Sequence, residues 1–143
     1  MKGSTAGMRA MRGNPAREPE KVRRSVELRT AVSPKDVKHY TTDRLREEFL
    51  IQNLFVPGEI KLVYSHIDRI ITGAAVPVEP LTLTAGEELR AEYFCQRREL
   101  GVINIGGAGT ITVDGRVYKI GFKEAMYIGM GSRDIVFASQ DRE

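Results

Sequence analysis

The sequence reads as mainly β, a sandwich or barrel of about nine short strands with two short helices near its start. Three observations carry that reading. Between Glu99 and Gly121 apolar residues recur in short runs, at Val102, Ile103 and Ile105, at Ile111 and Val113, and at Val117 and Ile120, with turn residues at each break. Asp114-Gly115 lies between two β-branched runs and supplies the positive φ angles of a type I′ hairpin, whose twist matches that of its strands. Elsewhere turn signals recur at roughly 8–12-residue intervals, the spacing of all-β architectures.

The elements follow in chain order. Ser33-Pro34-Lys35-Asp36 has an N-cap serine, a proline at the first helical position and an acid in the first turn, so a short helix begins there. Thr42 or Asp43 caps a second helix, in which Leu45, Phe49 and Leu50 form an apolar stripe expected to pack on the sheet. That helix ends before Pro57-Gly58. Strands are expected over Ile60–His66, Arg69–Ala75, Leu81–Thr84 and Ala91–Gln96, then in the three runs above, then over Ala125–Ile128 and Asp134–Ala138.

A chain of 143 residues is one ordinary domain, long enough to bury a core without staples. Its one cysteine, Cys95, rules out an internal disulfide framework and fits a reducing cytoplasm. Its longest apolar runs fall far short of the roughly 18 residues that span a bilayer, and no hydrophobic signal segment follows the basic N-terminus. The net charge of +3 is local, because residues 1–24 hold seven basic side chains against Glu18 and Glu20, leaving 15 basic and 17 acidic beyond them. With Gly3, Gly7, Gly13, Pro15 and Pro19 and few large apolar residues, that segment reads as a disordered, solvated tail ahead of a β domain over residues 25–143. It lacks the interleaved aromatics of a nucleic-acid-binding arm.

Two stretches invite chemistry. Gly106-Gly107-Ala108-Gly109 resembles a phosphate loop only in composition: no Gly-Lys-Ser/Thr follows and a strand, not a helix, comes next, so it reads as a tight turn. In Tyr64–Ile71, if extended, Tyr64, His66, Asp68 and Ile70 share one face and Arg69 lies on the other. A His-Asp pair two apart can orient an imidazole or supply a metal ligand. With His39 remote, the reading preferred is a polar strip, His66, Asp68 and Arg69, at a subunit contact or cavity wall.

The blocks Leu62-Val-Tyr-Ser-His-Ile-Asp-Arg-Ile-Ile71 and Arg97-Arg-Glu-Leu-Gly-Val-Ile-Asn-Ile-Gly-Gly-Ala-Gly-Thr-Ile-Thr-Val-Asp-Gly115 resemble the 5-keto-4-deoxyuronate isomerases, also called 4-deoxy-L-threo-5-hexosulose-uronate ketol-isomerases. The likeness runs from about Val22 to the end. It implies a cupin-like, RmlC-like jelly-roll barrel, the first of two in each subunit of a homohexamer. It also implies a pectin-breakdown reaction, conversion of 5-dehydro-4-deoxy-D-glucuronate to 3-deoxy-D-glycero-2,5-hexodiulosonate. The family's zinc, held by three histidines and a glutamate, belongs to the second barrel, which this chain is expected to lack.

Aligned on a cupin metal motif, Glu99 takes the glutamate position and Tyr93 and Cys95 the two histidine positions, or Glu92 and Phe94 with one more spacer residue; Ser132 stands at the last histidine. No register supplies an imidazole, so no metal is expected here and no catalytic residue is assigned. Cys95 reads as a small buried apolar residue. The resemblance implies half of a ketol-isomerase, inactive alone, serving as scaffold and oligomer domain with a uronate as the whole enzyme's substrate. The rival readings are a non-catalytic cupin-like module that binds a sugar acid or assembles with partners and, more weakly, a nucleic-acid-associated regulator using the basic tail.

Overall fold

The computed structural model describes residues 26–140. Among them are nine strands in three sheets: β1 (Val26–Arg29), β2 (Ile60–Ser65), β3 (Ile71–Ala75), β4 (Leu81–Leu83), β5 (Leu100–Ile103), β6 (Gly109–Val113), β7 (Arg116–Ile120), β8 (Ala125–Ile128) and β9 (Ile135–Ser139). The helices are α1 (Pro34–Val37) and α2 (Thr42–Phe49). The mainly β fold with two early helices is therefore as expected. The tail expected over residues 1–24 lies outside the described residues.

Four strands in the order β4-β9-β6-β7 form one antiparallel sheet and β5-β8 form another. Alternation turns Leu83, Ile111, Ile120 and Ile135 of the first toward a common core that takes Ile128 from the second, with Leu100, Val102 and Met126 packed against it. The third sheet, β1-β2-β3, adds Ile60, Leu62, Tyr64 and Ile71 to the rim of that core. Gly109 is placed by close approach, since a Cβ there would come within 2.7 Å of the Ala138 carbonyl oxygen on β9.

The structure departs from the sequence reading in three places. Val26–Arg29 carries no periodic signal, being too short to show one, yet pairs parallel with β2, Val26 opposite Leu62 and Arg29 opposite Ser65. A parallel pair needs a crossover, and α1 and α2 lie within it. Ala91–Gln96 is not a strand but a loop with a 3₁₀ turn at Phe94–Gln96. Phe94 and Cys95 are adjacent and both buried, which a helical turn permits and an alternating strand does not.

The third correction concerns α2. Its cap is Thr41, whose hydroxyl accepts from the Arg44 amide at 3.3 Å, rather than Thr42 or Asp43. The stripe does not pack on the sheet: Leu45 is 37% and Phe49 47% exposed, Leu50 is exposed as well, and no residue of the helix is buried. What ties α2 down is Arg29, whose guanidinium donates to the carbonyls of Glu48 at 3.3 Å and Leu50 at 3.0 Å while its Nε meets Glu27 at 2.7 Å. Periodicity registers an amphipathic helix and says nothing of what covers it.

Candidate functional site

The segment after β2 does not stay extended. Ser65 donates its amide to the Ile70 carbonyl at 2.9 Å, and its hydroxyl accepts from the Ile67 amide at 3.1 Å, closing a loop between β2 and β3. Asp68 and Arg69 both turn left-handed, each with φ of 53°. The shared face expected for Tyr64, His66, Asp68 and Ile70 therefore does not exist, and Arg69 is in the turn rather than β3. The His66 amide is fixed by the Arg29 carbonyl at 2.8 Å, and its ring meets Tyr64 edge-on at 5.4 Å. Among the described residues no hydrogen bond or ion pair joins the side chains of His66, Asp68 and Arg69, so they make no imidazole–carboxylate pair.

The positions aligned with a cupin metal motif come only partly together. The Gly131 amide donates to the Cys95 carbonyl at 2.8 Å, and the Arg133 guanidinium lies 4.7 Å over the Tyr93 ring, so the 93–95 loop abuts the turn that carries Ser132. Cys95 is wholly enclosed, at 0% exposure. Burial pushes its thiol above its ordinary value, the Arg98 charge offsetting only part of that, and a thiol so held is a poor nucleophile or ligand.

Glu99 looks the other way. It precedes β5 on the side of Gly101 and Ile103, and it accepts a hydrogen bond from the Tyr127 hydroxyl, which holds that phenol's proton above its ordinary value. Among the described residues no three His, Cys, Asp or Glu side chains are placed to hold a metal ion. The residues present do not fit zinc.

Polar organisation that the sequence reading missed centres on Asn104. Its Nδ2 donates to the carbonyls of Gly107 at 2.8 Å, Ile120 at 3.2 Å and Gly121 at 3.0 Å, and its Oδ1 accepts from the Gly106 amide at 3.0 Å. One side chain thus folds the glycine run into the turn between β5 and β6 and ties it to the end of β7. An asparagine two residues before Gly-Gly is the available signal, being the usual opening of an Asx turn. The glycine run is a structural turn, as expected.

The KduI/IolB family model matches residues 49–143. A 4-deoxy-L-threo-5-hexosulose-uronate ketol-isomerase of Lachnoclostridium phytofermentans is 75% identical over 117 residues, which is 81% of this chain and 42% of that protein. Proteins of the same name from Halalkalibacterium halodurans and Escherichia coli are 53% identical over 117 residues and 50% identical over 119. The chain thus spans about two fifths of the length of these relatives.

Proposed function

Because the chain belongs to the KduI/IolB family, we propose that it forms the scaffold and assembly half of a 4-deoxy-L-threo-5-hexosulose-uronate ketol-isomerase acting in uronate catabolism in the cytoplasm. The observation that carries this reading is the 75% identity over 117 residues to a relative of that name. The complete enzyme converts 5-dehydro-4-deoxy-D-glucuronate to 3-deoxy-D-glycero-2,5-hexodiulosonate, moving a proton between adjacent carbons of an α-hydroxy carbonyl. In this reading the zinc and the catalytic groups belong to the length of the relatives that this chain does not span.

The barrel is cupin-like in this proposal, the facing β4-β9-β6-β7 and β5-β8 sheets supporting a jelly-roll. Assembly into a homohexamer has its support in apolar surface. Ile103 and Tyr127 stand outward on the β5-β8 sheet at 71% and 66% exposure, and the stripe of α2 is bare. The loop carrying His66, Asp68 and Arg69 is assigned to the same contacts, with Ile67 and Ile70 exposed beside it. No helix among the described residues is long and apolar enough to cross a membrane.

The test is complementation. The chain alone and the chain co-expressed with the remaining length of the Lachnoclostridium phytofermentans relative are assayed for ketol isomerisation of the 4-deoxy-5-keto uronate and for bound zinc. The chain alone is expected to show neither, and the assembled pair both. Turnover or stoichiometric zinc in the chain alone, or a stable but silent pair, overturns the reading.

A further inference from the structure

The sheet β1-β2-β3 ends in an open edge. The Ser65 amide donates to the Ile70 carbonyl at 2.9 Å and the Val76 amide to the Glu59 carbonyl at 3.1 Å, so Ile70, Thr72, Ala74 and Val76 turn their backbone groups toward β2. Ile71, Gly73 and Ala75 alternate with them and turn their N–H and C=O groups the other way. Among the described residues those outward groups have no hydrogen-bond partner, and Thr72 and Gly73 are exposed. We propose that this edge pairs with the same edge of a second copy of the chain, antiparallel about a two-fold axis at Gly73.

An exposed strand edge templates association, and chains that stay apart blunt theirs with charge, proline or a bulge. The opposite edge strand of this sheet, β1, carries Glu27 and Arg29, and the edge strand β7 carries Arg116 and Lys119. β3, Ile71-Thr-Gly-Ala-Ala75, has no charge and no proline, and its register with β2 runs without a bulge.

The register selects the occupant. Self-pairing about Gly73 sets Ile71 opposite Ala75 of the second copy and Gly73 opposite Gly73, each pair exchanging both backbone hydrogen bonds, so every outward group is satisfied at once. The same register sets Thr72 opposite Ala74 and Ile70 opposite Val76, with Val78 diagonal to Ile70. Ile70 and Val78 are large apolar side chains left exposed beyond the two ends of β3. A two-fold axis brings the start of one strand to the end of the other, so each Ile70 covers the Val76–Val78 end of its counterpart. An unrelated extended peptide would pair the backbone and leave both apolar ends unexplained. The inference does not rest on the isomerase reading, since it concerns backbone groups of this chain and its readout is self-association.

Sedimentation velocity of the 143-residue chain across micromolar concentrations, native and Ala75→Pro, is the first measurement. Proline at 75 removes an outward N–H and none of the bonds to β2, so the dissociation constant of the dimer is expected to rise at least about tenfold with far-UV circular dichroism unchanged. Gly73 is left alone, because a Cβ there would come within 2.6 Å of the Lys61 carbonyl oxygen. Cross-linking reads the register. Thr72→Cys and Ala74→Cys chains mixed under mild oxidation are expected to give a disulfide-linked heterodimer, and each variant alone far less, because only the mixed pair sets two thiols directly opposite. Cys95 is buried and takes no part. A chain that stays monomeric, self-association that Ala75→Pro leaves unchanged, or a heterodimer yield no greater than that of either variant alone overturns the proposal.

Discussion

Single side chains hold the turns of this molecule, and two of them make distinct predictions. Asn104 satisfies three carbonyls and one amide, so Asn104→Ala should destabilise the chain by about 1–3 kcal/mol, the cost of leaving such groups unpaired. Asn104→Asp should do more harm, because a carboxylate placed against three carbonyls can donate to none of them; urea unfolding of both variants gives the comparison. Asp114 works differently. Its Oδ1 accepts from the amides of Arg133 and Asp134, both at 2.9 Å, and these bonds, that from Asp134 foremost, hold its carboxyl below the ordinary aspartate value.

A lowered folded-state pKa means that stability from Asp114 is complete above the unfolded value, near 3.9, and is lost as pH falls through the folded one. Asp114→Asn keeps a residue tolerant of the φ of 48° but removes the charge. The gap in unfolding midpoint between the native chain and this variant should be widest near neutrality and close in acid. A gap that stays constant with pH would sink the argument.

At the scale of elements, α2 depends on one cation. Arg29 reaches across from β1 to the last carbonyls of the helix, where a positive group also complements the negative end of the helix dipole. Arg29→Ala should fray α2 at its C-terminal turn and lower stability by about 1–2 kcal/mol. Hydrogen exchange should show the amides near Leu50 losing protection while those of β6 and β9 keep theirs. Uniform loss across all three elements would mean that Arg29 supports the whole fold rather than one helix end.

Across the whole molecule, two isoleucines of similar sequence appearance have different duties. Ile135 is at the centre of the core, so Ile135→Ala should cost about 2–5 kcal/mol. Ile103 stands outward on the β5-β8 sheet, and Ile103→Ser should change the stability of a single chain by no more than about 0.5 kcal/mol. If that face is an assembly surface, the same substitution should shift light scattering toward smaller species. A large loss of stability with unchanged assembly would place Ile103 in the core instead.

Local signals sufficed wherever the chain's own chemistry fixes the backbone. Asp114-Gly115 makes its hairpin because its residues accept positive φ, Ser33-Pro34 starts α1 because a hydroxyl and a fixed φ suit a helix entry, and β8 ends where its alternation ends. The likeness to the ketol-isomerases was legible too, carried by the Leu62–Ile71 and Arg97–Gly115 blocks and matched by the family model over residues 49–143. Tertiary structure decided the rest. Val26–Arg29 becomes a strand only by finding β2, and Phe94-Cys95 becomes a turn because both side chains must enter one core. The His66–Arg69 segment bends because β3 must return antiparallel to β2. Arg90, Gln96 and Arg97 border one open surface depression because two turns meet. Turn and cap preferences act over a few residues and are written locally, whereas pairing, burial and the convergence of side chains depend on partners distant in sequence, which no short pattern encodes.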